Sequence, residues 1–181
     1  MDQPDEMTET RQELEAALAA GRSVYADDLH LRLQELAEAA PAEALPLLVR
    51  ALGSADPGWR AEAAQNLGFH YDLRRQPDAL SALRRLLRED PEATVRQAAA
   101  AVLPLHSTWP DAALTDALRD DRDGLVGLLV FEGLLKLAGL PPDDVKRAMR
   151  RARSGKLAVS VEGLRQVVGE GAAELGGGER E

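Results

Sequence analysis

Asp56-Pro57-Gly58-Trp59-Arg60-Ala61-Glu62-Ala63-Ala64-Gln65-Asn66-Leu67 and Asp90-Pro91-Glu92-Ala93-Thr94-Val95-Arg96-Gln97-Ala98-Ala99-Ala100-Ala101-Val102-Leu103 are two readings of one pattern. Arg60, Ala63, Ala64 and Leu67 recur 36 residues later as Arg96, Ala99, Ala100 and Leu103. Ahead of each stands an apolar run: Ala44-Leu45-Pro46-Leu47-Leu48, then Ala79-Leu80-Ser81-Ala82-Leu83, with a looser third copy at Ala113-Leu114-Thr115-Asp116-Ala117. A recurrence of this length marks an array of supersecondary units, each too small to bury its own apolar face. Leu45, Leu48, Val49 and Leu52 fall on one stripe of a helix, as do Leu80, Leu83, Leu86 and Leu87. Asp-Pro supplies a capping carboxylate and a residue whose φ suits a first helical turn. Each unit therefore reads as helix, tight turn, helix, and the paired alanines of the second helix let neighbouring units approach closely.

Working outward, composition agrees. Ala (31) and Leu (30) dominate the 181 residues, while Val is 11, Thr 5 and Ile absent, which favours helices over sheets. The absence of Cys excludes disulfides, thiolate metal sites and cysteine catalysis. A net charge of −9 argues against a general nucleic-acid or anionic-membrane binder. That charge is uneven: residues 1–50 carry −7, whereas Lys146, Arg147, Arg150, Arg151, Arg153 and Lys156 form a basic cluster. The acidic start lacks the features of a secretory signal, so a cytoplasmic location is expected, and the Ala and Arg load suggests a bacterial source.

The apolar first helix, the Asp-Pro turn and the Val95-Arg96-Gln97-Ala98-Ala99 opening of the second helix resemble the HEAT repeat of the bilin-lyase-like variety. The third unit keeps an acidic turn, Asp121-Arg122-Asp123-Gly124, but has Gly127 where Arg is expected. The resemblance implies an all-α fold, an α/α superhelix or HEAT-like solenoid of about five helical hairpins, with second helices on the concave face. Helices are expected at 8–20, 26–39, 42–53, 58–71, 78–89, 92–105, 111–119, 124–138, 142–153 and 159–168. A single domain is expected over 8–169, between disordered tails at 1–7 and 170–181, the latter Gly/Glu-rich.

Candidate chemistry is sparse. Asp56, Arg60, Asp90 and Arg96 resemble the capping and inter-repeat residues of this repeat type rather than acid–base pairs. His70 and His106 also lie 36 apart and, with Asp72, could suggest a metal site, but a His near a helix C-terminus needs no metal; no metal and no cofactor are expected. Iron-dependent hydroxylases of HEAT type use His-Glu pairs, which this chain lacks. HEAT-like DNA glycosylases need a basic groove, and the second helices here carry Glu62, Gln65, Asn66, Gln97 and Glu132 instead. Trp59 occupies the position of Val95 and reads as a packing residue. The basic cluster lacks interleaved aromatics and reads as a solvated or acid-contacting surface.

The expected role is thus a non-catalytic adaptor or scaffold that holds a protein or peptide, basic by charge complementarity, on the second helices. The alternative is a bilin-lyase-like enzyme or chaperone subunit acting with a partner chain. Glu62, Gln65, Asn66 and Phe69 are the candidate contacts, joined by Val130 and Phe131 on the helix 124–138. That helix is apolar all round and must be covered, either by the C-terminal hairpin or by a partner. Arg84 and Arg88, on a first helix, are expected to be neutral surface positions.

Overall fold

The computed structural model describes residues 6–169, and all regular structure among them is helical. The helices are α1 (Glu6–Ala19), α2 (Leu29–Ala39), α3 (Pro41–Ala51), α4 (Pro57–His70), α5 (Pro77–Glu89), α6 (Ala93–His106), α7 (Ala112–Asp120), α8 (Gly124–Leu137), α9 (Pro142–Arg153) and α10 (Val161–Val168). The first eight form four hairpins of a HEAT-like solenoid, and α9 and α10, expected as a fifth, each pack on α8. First and second helices pair as α3/α4, α5/α6 and α7/α8, and the second helices α4, α6 and α8 stack on one another. Helix α1 begins at Glu6, inside the stretch expected to be a tail; residues 1–5 and 170–181 of the expected tails lie outside the described residues. Helix α2 begins three residues later than expected because Asp27 and Asp28 both adopt positive φ, 50° and 59°, which no α-helix accommodates.

Tight stacking follows from small residues at the crossings. A Cβ placed on Gly68 of α4 would lie 2.2 Å from Val102 Cβ of α6, and one on Gly133 of α8 would lie 2.3 Å from Pro104 Cγ. Ala63, Ala64, Ala99 and Ala100 are fully buried along the same seams. Trp59 is buried too, and its indole N–H donates to the Arg22 carbonyl at 2.8 Å, so the ring ties α4 to the loop after α1.

The turns add a polar ladder. Ser54, Asp90 and Asp121 are equivalent: each side-chain oxygen accepts from the amide two residues on, at 3.2, 3.0 and 2.8 Å. Arg60 grips the Asp90 carboxylate with Nε and Nη2, at 2.7 and 2.8 Å, and donates through Nη1 to the Ser54 and Ala55 carbonyls of its own turn. Arg96 repeats every contact one unit on, with Asp121 as the carboxylate and the Asp90 and Pro91 carbonyls as acceptors. The hydrogen bonds to these carboxylates raise both guanidinium pKa values against the opposing effect of burial. Asp56 caps α4 through the Trp59 amide at 3.2 Å, as expected, whereas Asp90 lies too far upstream to cap α6 and serves the ladder instead.

The ladder stops at Gly127. A Cβ there would touch Val159 Cγ1, in the segment leading into α10, at an ordinary 3.5 Å. Helices α9 and α10 both contact α8, and thus the C-terminal helices add to the cover that α6 and α7 give this apolar helix, leaving Leu125 at its start exposed. Val126, Val130, Phe131, Leu134 and Leu135 are all fully buried.

Candidate partner-binding surface

Helix α4 shows solvent a narrow strip. Its buried side runs through Trp59, Ala63, Ala64, Leu67 and Gly68, which leaves Gln65 and Phe69 exposed and Glu62 half-buried. Phe69 is 61 % exposed, a large apolar surface with no role in the stack. One unit on, Leu105 stands 36 residues from Phe69 on α6 and is 56 % exposed, and Leu125 begins α8 at 51 %. Ala101 of α6 and Leu128, Leu129 and Glu132 of α8 are half-buried. The stacked second helices therefore present a surface of apolar patches with acidic side chains among them.

Three expected contacts are corrected. Val130 and Phe131 are 0 % exposed, since they face the core that α8 makes with its neighbours, and they are unavailable to a partner. Asn66 is 4 % exposed, with its Nδ2 donating to the Glu62 carbonyl at 2.9 Å inside α4, so it offers nothing outward. Its Oδ1 is buried without a hydrogen-bond partner. Glu62, Gln65 and Phe69 remain on the strip, and Glu62 accepts from the Tyr25 hydroxyl at 3.3 Å. Burial and this carboxylate raise the Tyr25 pKa. Leu105 and Leu125 were missed, although applying the 36-residue offset to Phe69 would have found Leu105.

Arg84 also departs from expectation. It reaches across to α7 and donates to Asp111 Oδ2 at 2.8 Å, so it is an inter-repeat tie rather than a free surface group. Asp111 is nearly buried, and burial alone would raise its pKa. The hydrogen bonds from Arg84, the Ser107 hydroxyl and the Leu114 amide outweigh that and hold it below the usual value.

The two histidines do not form a site. His106 Nδ1 accepts from the Leu73 amide at 3.4 Å, so Nε2 carries the proton toward the Gly68 carbonyl at 2.8 Å, and both ring nitrogens are committed to backbone. His70 lies 3.9 Å from Glu38 instead. Among the described residues, no three His, Asp or Glu side chains are grouped to hold a metal ion, and no helix is long and apolar enough to cross a membrane.

No match was found among curated proteins or among solved structures. Residues 29–104, which carry α2 to α6 together with Phe69 and most of the strip around it, match the family model of HEAT repeats. This stretch of the chain is thus HEAT-repeat in kind, and the all-α stack built on it is a HEAT-like solenoid.

Proposed function

We propose that the protein is a non-catalytic adaptor or scaffold whose second-helix surface holds a protein or peptide partner. The observation that carries this reading is the pair Phe69 and Leu105, exposed at equivalent positions of adjacent stacked helices. Neither side chain contributes to the stack, and well-packed apolar anchors supply most of the binding energy at protein interfaces. Proteins built of HEAT repeats generally act by such interactions. Glu62 on the same helix as Phe69, Glu38 close to the neighbouring His70, and the excess of acid over residues 1–50 favour a basic partner and speed its approach at low salt. We assign the repeats to the bilin-lyase-like variety on the Asp-Pro and Val-Arg-Gln-Ala-Ala residues of the second unit, and place the protein in a bacterial cytoplasm on composition.

The test is affinity capture with the parent chain and with a Phe69→Ser/Leu105→Ser variant as baits, followed by mass spectrometry. Partners retained by the parent and by an Arg85→Ala control on α5, but lost from the double variant, support the reading. Retention of the same partners by the double variant would move binding off the second helices.

A further inference from the structure

Helix α9 has two unlike sides. Val145, Ala148, Met149 and Ala152 are buried, while Lys146, Arg147, Arg150, Arg151 and Arg153 are exposed, with Lys156 in the turn that follows. Lys146 and Arg147 are held by Asp143 and Asp144, one turn back. Arg150, Arg151, Arg153 and Lys156 have no acidic side chain within ion-pair distance among the described residues. The contrast with the rest of the chain is sharp, because Arg60, Arg84 and Arg96 are each locked to a carboxylate and the whole protein carries −9. Over residues 141–169 the balance reverses, with seven cations against three acids. Beside this patch α9 and α10 leave a cleft of about 290 Å³, lined by the apolar Leu140, Ala148 and Val167 and by the polar Asp144, Arg147, Arg151 and Gln166.

We propose that this face of α9 is a second docking site, for an acidic protein segment that places an apolar side chain in the α9–α10 cleft. The chemistry chooses that occupant over other polyanions. Three of the four cations without an acidic partner among the described residues are Arg, whose planar donors grip carboxylates two at a time. A bilayer that bound by charge alone would gain only a small increment per cation, and the chain's net −9 opposes it, while the apolar side of α9 that could add insertion is already buried in the fold. A nucleic acid would need many phosphate contacts and stacking aromatics. Residues 142–168 contain no Phe, Tyr or Trp, and the acidic remainder of the chain repels a long backbone. A short acidic segment needs only the local patch and the cleft. The site is separate from the second-helix surface and stands independently of that reading; with both in use, the protein bridges two partners of opposite charge.

Fluorescence anisotropy on the full chain tests this, with a labelled peptide of Glu and Asp around one central Leu as the probe. Expected are binding that weakens with added salt, a loss of about tenfold or more in Arg150→Glu/Arg151→Glu/Arg153→Glu, where three contacts turn repulsive, and a loss of about tenfold when the peptide Leu becomes Ser. Phe69→Ser/Leu105→Ser should bind this probe like the parent, which separates the two sites. A Gln version of the triple variant gives the same comparison with a smaller loss if the Glu version fails to fold. No binding of the peptide, binding unchanged in both triple variants, or tighter binding of a single-stranded oligonucleotide or of phosphatidylserine vesicles would overturn the proposal.

Discussion

Replacing Gly68 with Ala should destabilise the protein, although the same change in an open helix interior stabilises by about 1 kcal/mol through helix propensity. The added Cβ would lie 2.2, 2.5 and 2.8 Å from Val102 Cβ, Cγ1 and Cγ2, where ordinary contacts begin near 3.4 Å. Val102 is fully buried and β-branched, so it has no second rotamer to retreat into, and α4 and α6 must separate. Overpacking by one carbon costs about 1–3 kcal/mol, and contact at the level of Cβ belongs at the upper end. The net expectation is a loss of about 1–2 kcal/mol, equivalent to a fall in Tm of about 2–8 °C for a domain of this size. Urea denaturation with an unchanged m value measures it. Val102→Ala gives little relief, because the nearest atom is the Cβ that Ala retains. Gly124→Ala is the control: nothing lies within 4 Å of a Cβ there, so stability should hold or rise. A Gly68→Ala variant more stable than the parent would refute the close approach of α4 and α6.

Other changes give distinct outcomes. Ala99→Leu or Ala100→Leu should cost about 1–3 kcal/mol by thermal unfolding, since both side chains are fully buried between units. Phe131→Ala should cost about 3–5 kcal/mol, whereas Phe69→Ser should stay within about 0.5 kcal/mol, a difference that calorimetry separates readily. Arg96→Ala should cost about 3–5 kcal/mol at neutral pH by leaving the nearly buried Asp121 unmatched, and a cost below that of Arg88→Ala would remove the ladder from the account of stability. The Asp111 pKa is lower in the folded protein than its ordinary 3.8, so its stabilisation is complete above that value and fades as pH falls through the lower folded one. Asp111→Asn should flatten that part of the acid profile. Burial pushes Tyr71 up from 10.0 to about 12, so its contribution is present below pH 10 and is lost as pH rises toward 12, and Tyr71→Phe should remove this alkaline loss.

The fold was legible because the repeat wrote the same physical requirement twice. Ala63/Ala64 and Ala99/Ala100 can be aligned without coordinates, and the alignment sets the register of every helix between 41 and 106. The surface was legible only in part. Phe69 is an apolar residue on the open side of an otherwise satisfied helix, and periodicity exposes it. Val130 and Phe131 lie on a helix with no polar face, so the pattern says that they are covered but not by what; α8 packs on α6 and α7 and also on α9 and α10, and the last two carry no repeat signature. Asn66 misled for a related reason, since an amide can turn back onto its own helix and be buried where sequence reads a surface donor. Arg84 became structural only because it reaches Asp111, 27 residues on, in the next unit.

The Arg–Asp ladder has a direction, and that direction governs how such an array can lengthen. Each Arg reaches forward to the acid of the following turn, so a copied unit inserted between Arg60 and Asp90 would arrive with an acid for the Arg before it and an Arg for the acid after it. The chain of pairings would pass through the insert unbroken. A unit appended after α8 would find Gly127 instead, with no guanidinium to receive its acid. Growth by internal duplication preserves the bonding pattern, while growth at that edge breaks it. Designers who wish to extend this scaffold should therefore splice in the middle.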